Sequence, residues 1–506
     1  MMTATASVWL PVGFVERAPT GPEFDERLEL ALSGGGYRAS AFSLGSLLYL
    51  VHSGLNKRVD SIVSVSGGSI TNAWIAQTID YAKLNSAEEF APCAQGLASH
   101  LCRTSLVSLK NVYFALWLAL LVAAVVFAGT RIVADWPLSR GDLPVLVATV
   151  LAAAVVIQAR GHVVTRWLAR NYCRSAQYQR IGDLADRTVD HVIAATDLCT
   201  GEPFCMSGRS KGRTFSPTWG LRPGRSVRLS TAVRASTALP PLMPPVRLKL
   251  ESWPDQVGEP RAIWLTDGGI WNNLGTDWSR FRSEILSAEW TRISNAEGVT
   301  AAIMAADGAA PSGGVRLVID ASAPLIHRRM RTLWIPVLST LDTALRAMLT
   351  SYASTVAARR PALTAARDRM ILNPERWHVD WPQPPMTWNE TPGSSPPLEL
   401  IVGMVGPGEI ADNWTSSGLG THWDQIGASY RAELSQAEQE LARIRGDRPK
   451  AATTLNGLGT NVVLQLVVDG YLATRETLVT AFENHSAPAI PDTAWFDRMI
   501  GLRDSG

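Results

Sequence analysis

The chain has 506 residues, and its 47 Lys+Arg and 45 Asp+Glu leave a formal net charge of +2. This near-balance argues against nucleic acid as the main partner, and we expect none. The hydrophobic fraction of 46% with only 18% charged residues excludes global disorder and indicates contact with a membrane. Five widely spaced cysteines without a CxxC pair predict neither a disulfide framework nor a zinc ribbon, and we expect no metal and no cofactor.

The first hundred residues repeat one local pattern. Residues 27–33 (RLELALS) form an apolar run that predicts a buried strand, and it ends in a run of three glycines before a helical segment at residues 39–51. Residues 59–65 predict a second apolar strand, which ends in a second glycine turn before another helix at residues 70–80. Strand, glycine turn and helix in succession predict an α/β fold with a mainly parallel central sheet flanked by helices.

Two uncharged runs follow, at residues 111–129 (NVYFALWLALLVAAVVFAG) and residues 143–157 (LPVLVATVLAAAVVI). A membrane-spanning helix needs about 20 predominantly apolar residues, which the first run reaches and the second approaches. Apolar residues lie on all sides of both runs, so each helix is either buried or in lipid. We expect an inserted transmembrane helical hairpin over residues 111–160, and the alternative is a helical hairpin buried in a large core.

Positive charge predicts the orientation of this hairpin. The connecting loop carries two basic residues, Arg131 and Arg140. The outer flanks carry six, namely Arg103, Lys110, Arg160, Arg166, Arg170 and Arg174. The positive-inside rule then puts both flanks in the cytoplasm. No secretory signal peptide is expected at the start of the sequence, so we expect a protein of the bacterial inner membrane with its main body facing the cytoplasm.

The rest of the chain predicts further strands and helices. Strands are expected at residues 191–196, 261–266 and 315–320, a long irregular segment at residues 374–397, and helices at residues 337–352, 424–445 and 461–478, the last being the final core helix.

Ser66 lies in the pentapeptide SVSGG (residues 64–68), between the second strand and its helix. This is the nucleophile-elbow pattern G-x-S-x-G with Ser64 in place of the first glycine. Such a turn lifts a serine hydroxyl clear of the backbone and sets a helix N-terminus beside developing negative charge. Alone, the pentapeptide is also compatible with an ordinary glycine-rich turn.

Two further motifs supply the chemistry that a nucleophilic serine needs. Gly34, Gly35 and Gly36 let backbone N–H groups approach a substrate oxygen without interference from a Cβ atom, as an oxyanion hole requires. Asp267, followed by two glycines at the end of an apolar strand, can approach a serine hydroxyl closely. A phosphate-binding loop is a weaker interpretation of these three glycines, because neither of the usual phosphate-loop spacings is present.

In this order, LALSGGGYRASAF, SVSGGS, AATDLCTGEPF, AVRASTALPPLMPPV and LTDGGIWNNLG resemble the patatin-like phospholipases. The resemblance implies a patatin-like α/β fold and a Ser–Asp dyad, with Ser66 as nucleophile and Asp267 as base. It implies that Gly34, Gly35 and Gly36 form the oxyanion hole. Arg38 matches a basic position that either orients this loop or meets a lipid phosphate of the substrate.

The resemblance implies a serine lipid acyl hydrolase, and the hairpin predicts that it is membrane-associated. The expected partners are the membrane and its lipid substrates, whereas protein partners stay unknown. One alternative is a non-catalytic membrane scaffold that retains the fold. Another is a soluble Ser–His–Asp esterase, for which His327 has the required position in chain order.

The hairpin divides the predicted hydrolase. Residues 1–110 carry the glycine loop and the nucleophile, residues 111–160 the hairpin, residues 161–330 the base, and residues 331–506 a helical and irregular extension that packs on the core.

Overall fold

The computed structural model describes residues 27–134, 142–209, 212–240, 243–251, 262–276, 278, 315–321, 398–403, 455–481 and 487–502. Within these ranges the strands are β1 (Leu28–Leu32), β2 (Val59–Val65), β3 (Asp190–Asp197), β4 (Pro203–Ser207), β5 (Arg213–Ser216), β6 (Gly220–Pro223), β7 (Val246–Lys249), β8 (Ala262–Asp267), β9 (Val315–Asp320) and β10 (Leu398–Gly403). The helices are α1 (Gly36–His52), α2 (Gly67–Thr78), α3 (Ala87–Arg103), α4 (Val112–Ala134), α5 (Asp142–Asn171), α6 (Leu229–Ser236), α7 (Gly269–Asn272), α8 (Thr460–Ala481) and α9 (Thr493–Ile500).

All ten strands of the described part belong to one sheet. Its centre is parallel, in the order β10-β9-β1-β2-β3. Antiparallel strands β4, β5 and β6 extend the sheet beyond β3, and β8 pairs antiparallel with both β3 and β7. The prediction of a mixed α/β fold with a mainly parallel central sheet and flanking helices is therefore confirmed.

The parallel centre of the sheet is covered on both faces, which explains its continuous apolar sequence. All five residues of β1 are buried. Leu28, Leu30 and Leu32 belong to the large core that also contains residues of α1, whereas Ala31 packs with Leu274 and Val318 in a separate small cluster. Parallel strands buried on both faces have near-continuous apolar runs, and this is the signal that made β1 and β2 predictable.

Helix α8 packs directly on α1 through a pair of glycines. A Cβ atom on Gly45 of α1 would lie 1.9 Å from the carbonyl oxygen of Val467, and one on Gly470 of α8 would lie 2.0 Å from that of Phe42. Because both neighbours are backbone atoms, neither position has room for a side chain. Helix α8 thus supports α1, the helix that follows the glycine loop.

The sequence predicted that residues 461–478 form the last core helix. The structure has this helix as α8, but the word "last" is wrong, because α9 follows and buries Phe496, Met499 and Ile500. Its eight residues are too few to give a strong periodic signal.

Helices α4 and α5 form the expected hairpin. They contact one another along their length, and the Trp117 indole N–H donates to the carbonyl oxygen of Val156 at 2.5 Å. Many apolar side chains of the hairpin face outward, namely Val112, Leu116, Leu120, Val122, Val125, Val126, Phe127, Val147, Leu151 and Val155. The structure thus has the predicted pair of contacting helices with a hydrophobic surface.

Among the described residues, no helix combines the length and the apolar character needed to cross a membrane. The expectation that the hairpin is transmembrane therefore has no support in the described helices. The second half of α5 shows one physical reason: beyond residue 159 it carries Arg160, Arg166 and Arg170, and it buries Trp167 and Leu168 in the protein core.

The base of the hairpin is joined to α1 by three hydroxyl groups. The Tyr172 hydroxyl donates to the Tyr37 hydroxyl at 2.6 Å, and the Thr104 hydroxyl lies 2.6 Å from Tyr172 and 2.9 Å from Tyr37. Thr104 directly follows α3, before the hairpin begins, and Tyr172 directly follows α5. The residues that flank the hairpin thus both contact Tyr37, the residue that follows Gly36.

Several predicted features lie outside the described residues: the helices at residues 337–352 and 424–445, the irregular segment at residues 374–397, and His327. The predicted domain boundaries stay predictions.

The α1–α8 contact predicts that Gly470→Ala destabilises the protein by about 1–3 kcal/mol, the usual cost of overpacking a core. Gly129→Ala is the matched control, because a Cβ atom there meets nothing within 4 Å, and replacing glycine in an exposed helix stabilises by up to about 1 kcal/mol. Denaturant unfolding measures both changes. Equal stability of the two variants would contradict the close packing of α1 on α8.

Candidate active site

Ser66 occupies a strained turn between β2 and α2. Its φ of 48° and ψ of −117° make it the one non-glycine residue with positive φ in the described part of the chain. Non-glycine residues adopt such angles at a cost of about 1–3 kcal/mol and keep them only where their surroundings hold them. Ser66 is also the only partly exposed residue of the stretch from Ser61 to Ile70, so its side chain is positioned to meet a substrate.

The glycines after Ser66 are required by close backbone contacts. A Cβ atom on Gly67 would lie 2.0 Å from the carbonyl oxygen of Gly36, and one on Gly68 would lie 2.6 Å from that of Leu32. The Gly68 N–H donates to the Ser33 carbonyl oxygen at 3.2 Å. The turn that carries Ser66 therefore lies directly against the glycine loop after β1.

The glycine loop offers two unused N–H groups beside Ser66. Gly35 and Gly36 have positive φ values of 144° and 63°, and within the described residues neither N–H donates a hydrogen bond. The Gly34 N–H instead donates to the carbonyl oxygen of Asn273 at 2.9 Å. Gly34 contributes close approach, since a Cβ atom there would lie 3.1 Å from Ser66 Cβ and 2.1 Å from Asn273 Oδ1.

Asp267 ends β8 and is only 2% exposed. Its Oδ1 accepts the Gly269 N–H at 2.8 Å, whereas Oδ2 accepts no hydrogen bond of ordinary geometry. Burial raises the pKa of Asp267 to about 7, against the opposing effects of the Gly269 N–H and the Ser66 hydroxyl. Asp267 therefore changes protonation near neutral pH, and Oδ2 remains available to the nearby Ser66 hydroxyl.

The pairing of three strands brings Ser66 and Asp267 together. Strand β2 runs along one edge of β3 until Val65 pairs with Ala194. Strand β8 then occupies the same edge from the opposite direction, and its last residue, Asp267, pairs with Ala195. The two strands therefore end at adjacent positions of β3, one just before the serine and the other at the carboxylate.

Arg38 lies beneath the glycine loop and is 3% exposed. Its Nε donates to the carbonyl oxygen of Ala321 at 3.0 Å, and its Nη2 lies 3.2 Å from the position of a Cβ atom on Gly35. Of the two roles considered from the sequence, this placement favours orientation of the loop. A guanidinium buried in this way has no exposed surface for a lipid phosphate.

The histidines of the described ranges do not complete a triad with Ser66. His52, His100, His162 and His191 form no hydrogen bond to Ser66 or to Asp267. His191 is the one nearest in sheet register; its Nδ1 lies 2.7 Å from Asn72 Oδ1, and burial lowers its pKa to about 3. The same ranges contain no group of three or more His, Cys, Asp or Glu residues arranged to hold a metal ion.

Two polar contacts at the site were not predicted. The Thr196 hydroxyl donates to the carbonyl oxygen of Asp267 at 2.9 Å and accepts the Trp271 N–H at 3.2 Å. The Ser236 hydroxyl accepts the Ser66 N–H at 2.9 Å. Ser236 belongs to a segment that carried the family resemblance, but its short helical sequence has no pattern that points to Ser66.

No protein-family model matches the chain, and no curated protein sequence matches it. Among solved structures, the human GIVD cytosolic phospholipase A2 is similar at 15% identity with a TM-score of 0.26, over 42% of this chain and 28% of that one. VipD from Legionella pneumophila is similar at 11% identity with a TM-score of 0.25, over 99% of this chain and 95% of that one. The aligned part thus spans less than a third of the human enzyme. Similarity of this degree establishes neither a shared fold nor a shared activity.

The raised pKa of Asp267 predicts a pH-dependent stability. The folded state holds this proton up to a pH of about 7, whereas the unfolded chain releases it near 3.8. The contribution of Asp267 to stability is therefore fully present below about 3.8 and is lost as pH rises through about 7. Asp267→Asn keeps an oxygen for the Gly269 N–H and carries no charge, so its stability relative to wild type should increase from pH 5 to pH 8. Thermal unfolding at both values measures this, and a difference that stays constant would contradict the buried carboxylate.

Proposed function

We propose that the protein is a membrane-associated serine acyl hydrolase that cleaves lipid esters with a Ser66–Asp267 dyad. The observation that carries the proposal is the meeting of β2 and β8 on one edge of β3, which sets a strained, partly exposed serine beside a buried carboxylate with a pKa of about 7. Perturbed carboxylates beside a positioned nucleophile are typical of active sites.

In the proposed reaction, Asp267 Oδ2 accepts the hydroxyl proton as Ser66 Oγ attacks the ester carbonyl. The carbonyl oxygen becomes an oxyanion, and the C–O bond to the alcohol breaks as Asp267 returns the proton to the leaving oxygen. Water then attacks the acyl-serine and loses a proton to Asp267. The fatty acid leaves, and Ser66 Oγ takes that proton back.

Gly35 and Gly36 are the proposed oxyanion donors, because their N–H groups have no other partner in the described structure. Removing one such donor typically costs about 3–4 kcal/mol of transition-state stabilisation. Gly34 is assigned to close packing against Ser66 and Asn273, and Arg38 to support of the loop from below.

The proposed substrates are phospholipids, lysophospholipids or neutral acylglycerols. The exposed apolar residues of α4 and α5 support membrane association, because soluble monomers rarely expose large contiguous apolar patches. We place the hairpin in the lipid surface, without requiring that it cross the bilayer. Exposed basic residues at its base would face anionic headgroups, as expected at the cytoplasmic face of a bacterial inner membrane; they are Arg103, Lys110, Arg166 and Arg170.

Purified protein incubated with a mixed phospholipid extract should release fatty acids, detected by lipid mass spectrometry. Ser66→Ala should abolish the release, and Asp267→Asn should lower turnover by a factor of about 100 or more, the scale of general-base removal. His327→Ala is the control for a triad and should change turnover little. Loss of activity in His327→Ala with activity kept in Asp267→Asn would overturn the dyad.

Membrane association predicts binding to vesicles of phosphatidylethanolamine and phosphatidylglycerol in a co-sedimentation assay. Leu120 is 53% exposed on α4. Leu120→Glu should weaken vesicle binding at least about tenfold, because a charge in lipid is costly. Thr78→Glu, an exposed position on α2, adds the same charge outside the hairpin and should bind as wild type does. A wild-type protein that stays in the supernatant would contradict the proposed membrane contact.

A further inference from the structure

The turn at Ser66 needs support that the residue itself does not provide. Its positive φ is unfavourable for any residue with a Cβ atom, and its side chain forms no capping hydrogen bond to α2. A catalytic serine must leave its hydroxyl available to substrate, so the constraint on the turn has to come from elsewhere in the structure.

We propose that Ser236 is a positioning residue that holds the Ser66 turn in its strained conformation through the Ser66 N–H. The assignment rests on the proposed function, since positioning matters only if Ser66 is the nucleophile. Ser236 ends α6, has no exposed surface and contacts the backbone of Ser66 and not its hydroxyl. It therefore acts through Ser66 and does not touch substrate.

The Ser236 hydroxyl lies within hydrogen-bond distance of three groups. Its oxygen lies 2.6 Å from the carbonyl oxygen of Ala194, to which it donates its single proton. It accepts the Ser66 N–H at 2.9 Å and lies 2.8 Å from the Ser69 hydroxyl oxygen. One side chain thereby ties together β3, the nucleophile turn and the first turn of α2.

The backbone beside Ser236 holds the other half of the dyad. Its carbonyl oxygen accepts the Gly268 N–H at 3.3 Å, and the carbonyl oxygen of Ala238 accepts the Asp267 N–H at 3.2 Å. The Thr266 hydroxyl also donates to Ala238, at 2.8 Å. The segment from Ser236 to Ala238 thus lies between the nucleophile and the base and fixes the distance between them.

This arrangement separates positioning from substrate binding. Without the Ser236 hydroxyl, the Ser66 N–H loses its acceptor, and the turn can relax away from Asp267 and the glycine loop. Small displacements of a catalytic group lower the rate of the chemical step. We therefore expect kcat to fall while KM stays close to its wild-type value.

The test uses the full-length protein with Ser236→Ala, and with Ser236→Cys as a second variant whose slightly larger thiol leaves no cavity and is only a weak acceptor. Ser230→Ala is the matched control, because Ser230 is a buried serine of the same helix with no hydrogen bond to Ser66 or Asp267. Ester hydrolysis, the rate of fluorophosphonate labelling of Ser66 and the thermal midpoint are measured for each.

We expect kcat and the labelling rate to fall at least tenfold in both Ser236 variants, with KM and the pH midpoint unchanged, and Ser230→Ala to behave as wild type. If Ser236→Ala is poorly folded, Ser236→Cys with a wild-type thermal midpoint decides. Wild-type kcat in a folded Ser236 variant would overturn the positioning role while leaving the dyad intact. A wild-type protein that neither hydrolyses esters nor labels at Ser66 would overturn the proposed function and, with it, this role.

Discussion

The arrangement of the site depends on one feature of the sheet, the shared edge of β3. Strand β2 uses this edge up to Ala194, and β8 uses it from Ala195 onward. A strand normally pairs with one neighbour along each edge; here two strands of opposite direction meet end to end. Because the last residues of β2 and β8 pair with adjacent residues of β3, the turn after β2 lies close to the carboxyl side chain of Asp267. Backbone hydrogen bonds, more than side-chain contacts, set this approach.

The close approach of the Ser66 turn to Asp267 requires positions without side chains and buries an ionisable group. Gly67 and Gly68 leave the two turns in direct backbone contact, and Asp267 is almost fully buried. Each feature opposes stability: Ser66 has unfavourable backbone angles, and the ionised carboxylate lacks water. A large core can tolerate such local costs, because the sheet and the helices around it bury far more apolar surface than the site disturbs.

The sequence predicted the elements that carry a continuous apolar run. The strands β1 and β2 were clear because both of their faces are buried, and their glycine turns marked where each ends. The two helices of the hairpin were predictable from composition alone, whereas the pattern of residues did not decide whether they contact a membrane. The short antiparallel strands β4 to β6 were missed, because four or five residues beside turns have no distinctive period.

The candidate site was predictable in its parts and not in its assembly. Ser66, the glycines and Asp267 each lie in a local motif, and the family resemblance joined them. The use of the Gly34 N–H by Asn273 and the contact of Ser236 with the Ser66 backbone arise from tertiary packing between segments far apart in the chain. Local sequence patterns do not predict such contacts.

If the buried carboxylate of Asp267 activates Ser66, the rate at which a fluorophosphonate labels Ser66 depends on pH. The base must be ionised to accept the proton, and the pKa of Asp267 is raised to about 7. We expect a labelling rate that rises with pH through a midpoint near 7 in the wild type, and a slow rate without that midpoint in Asp267→Asn. The same midpoint in both proteins, or no labelling at Ser66, would show that Asp267 does not activate Ser66.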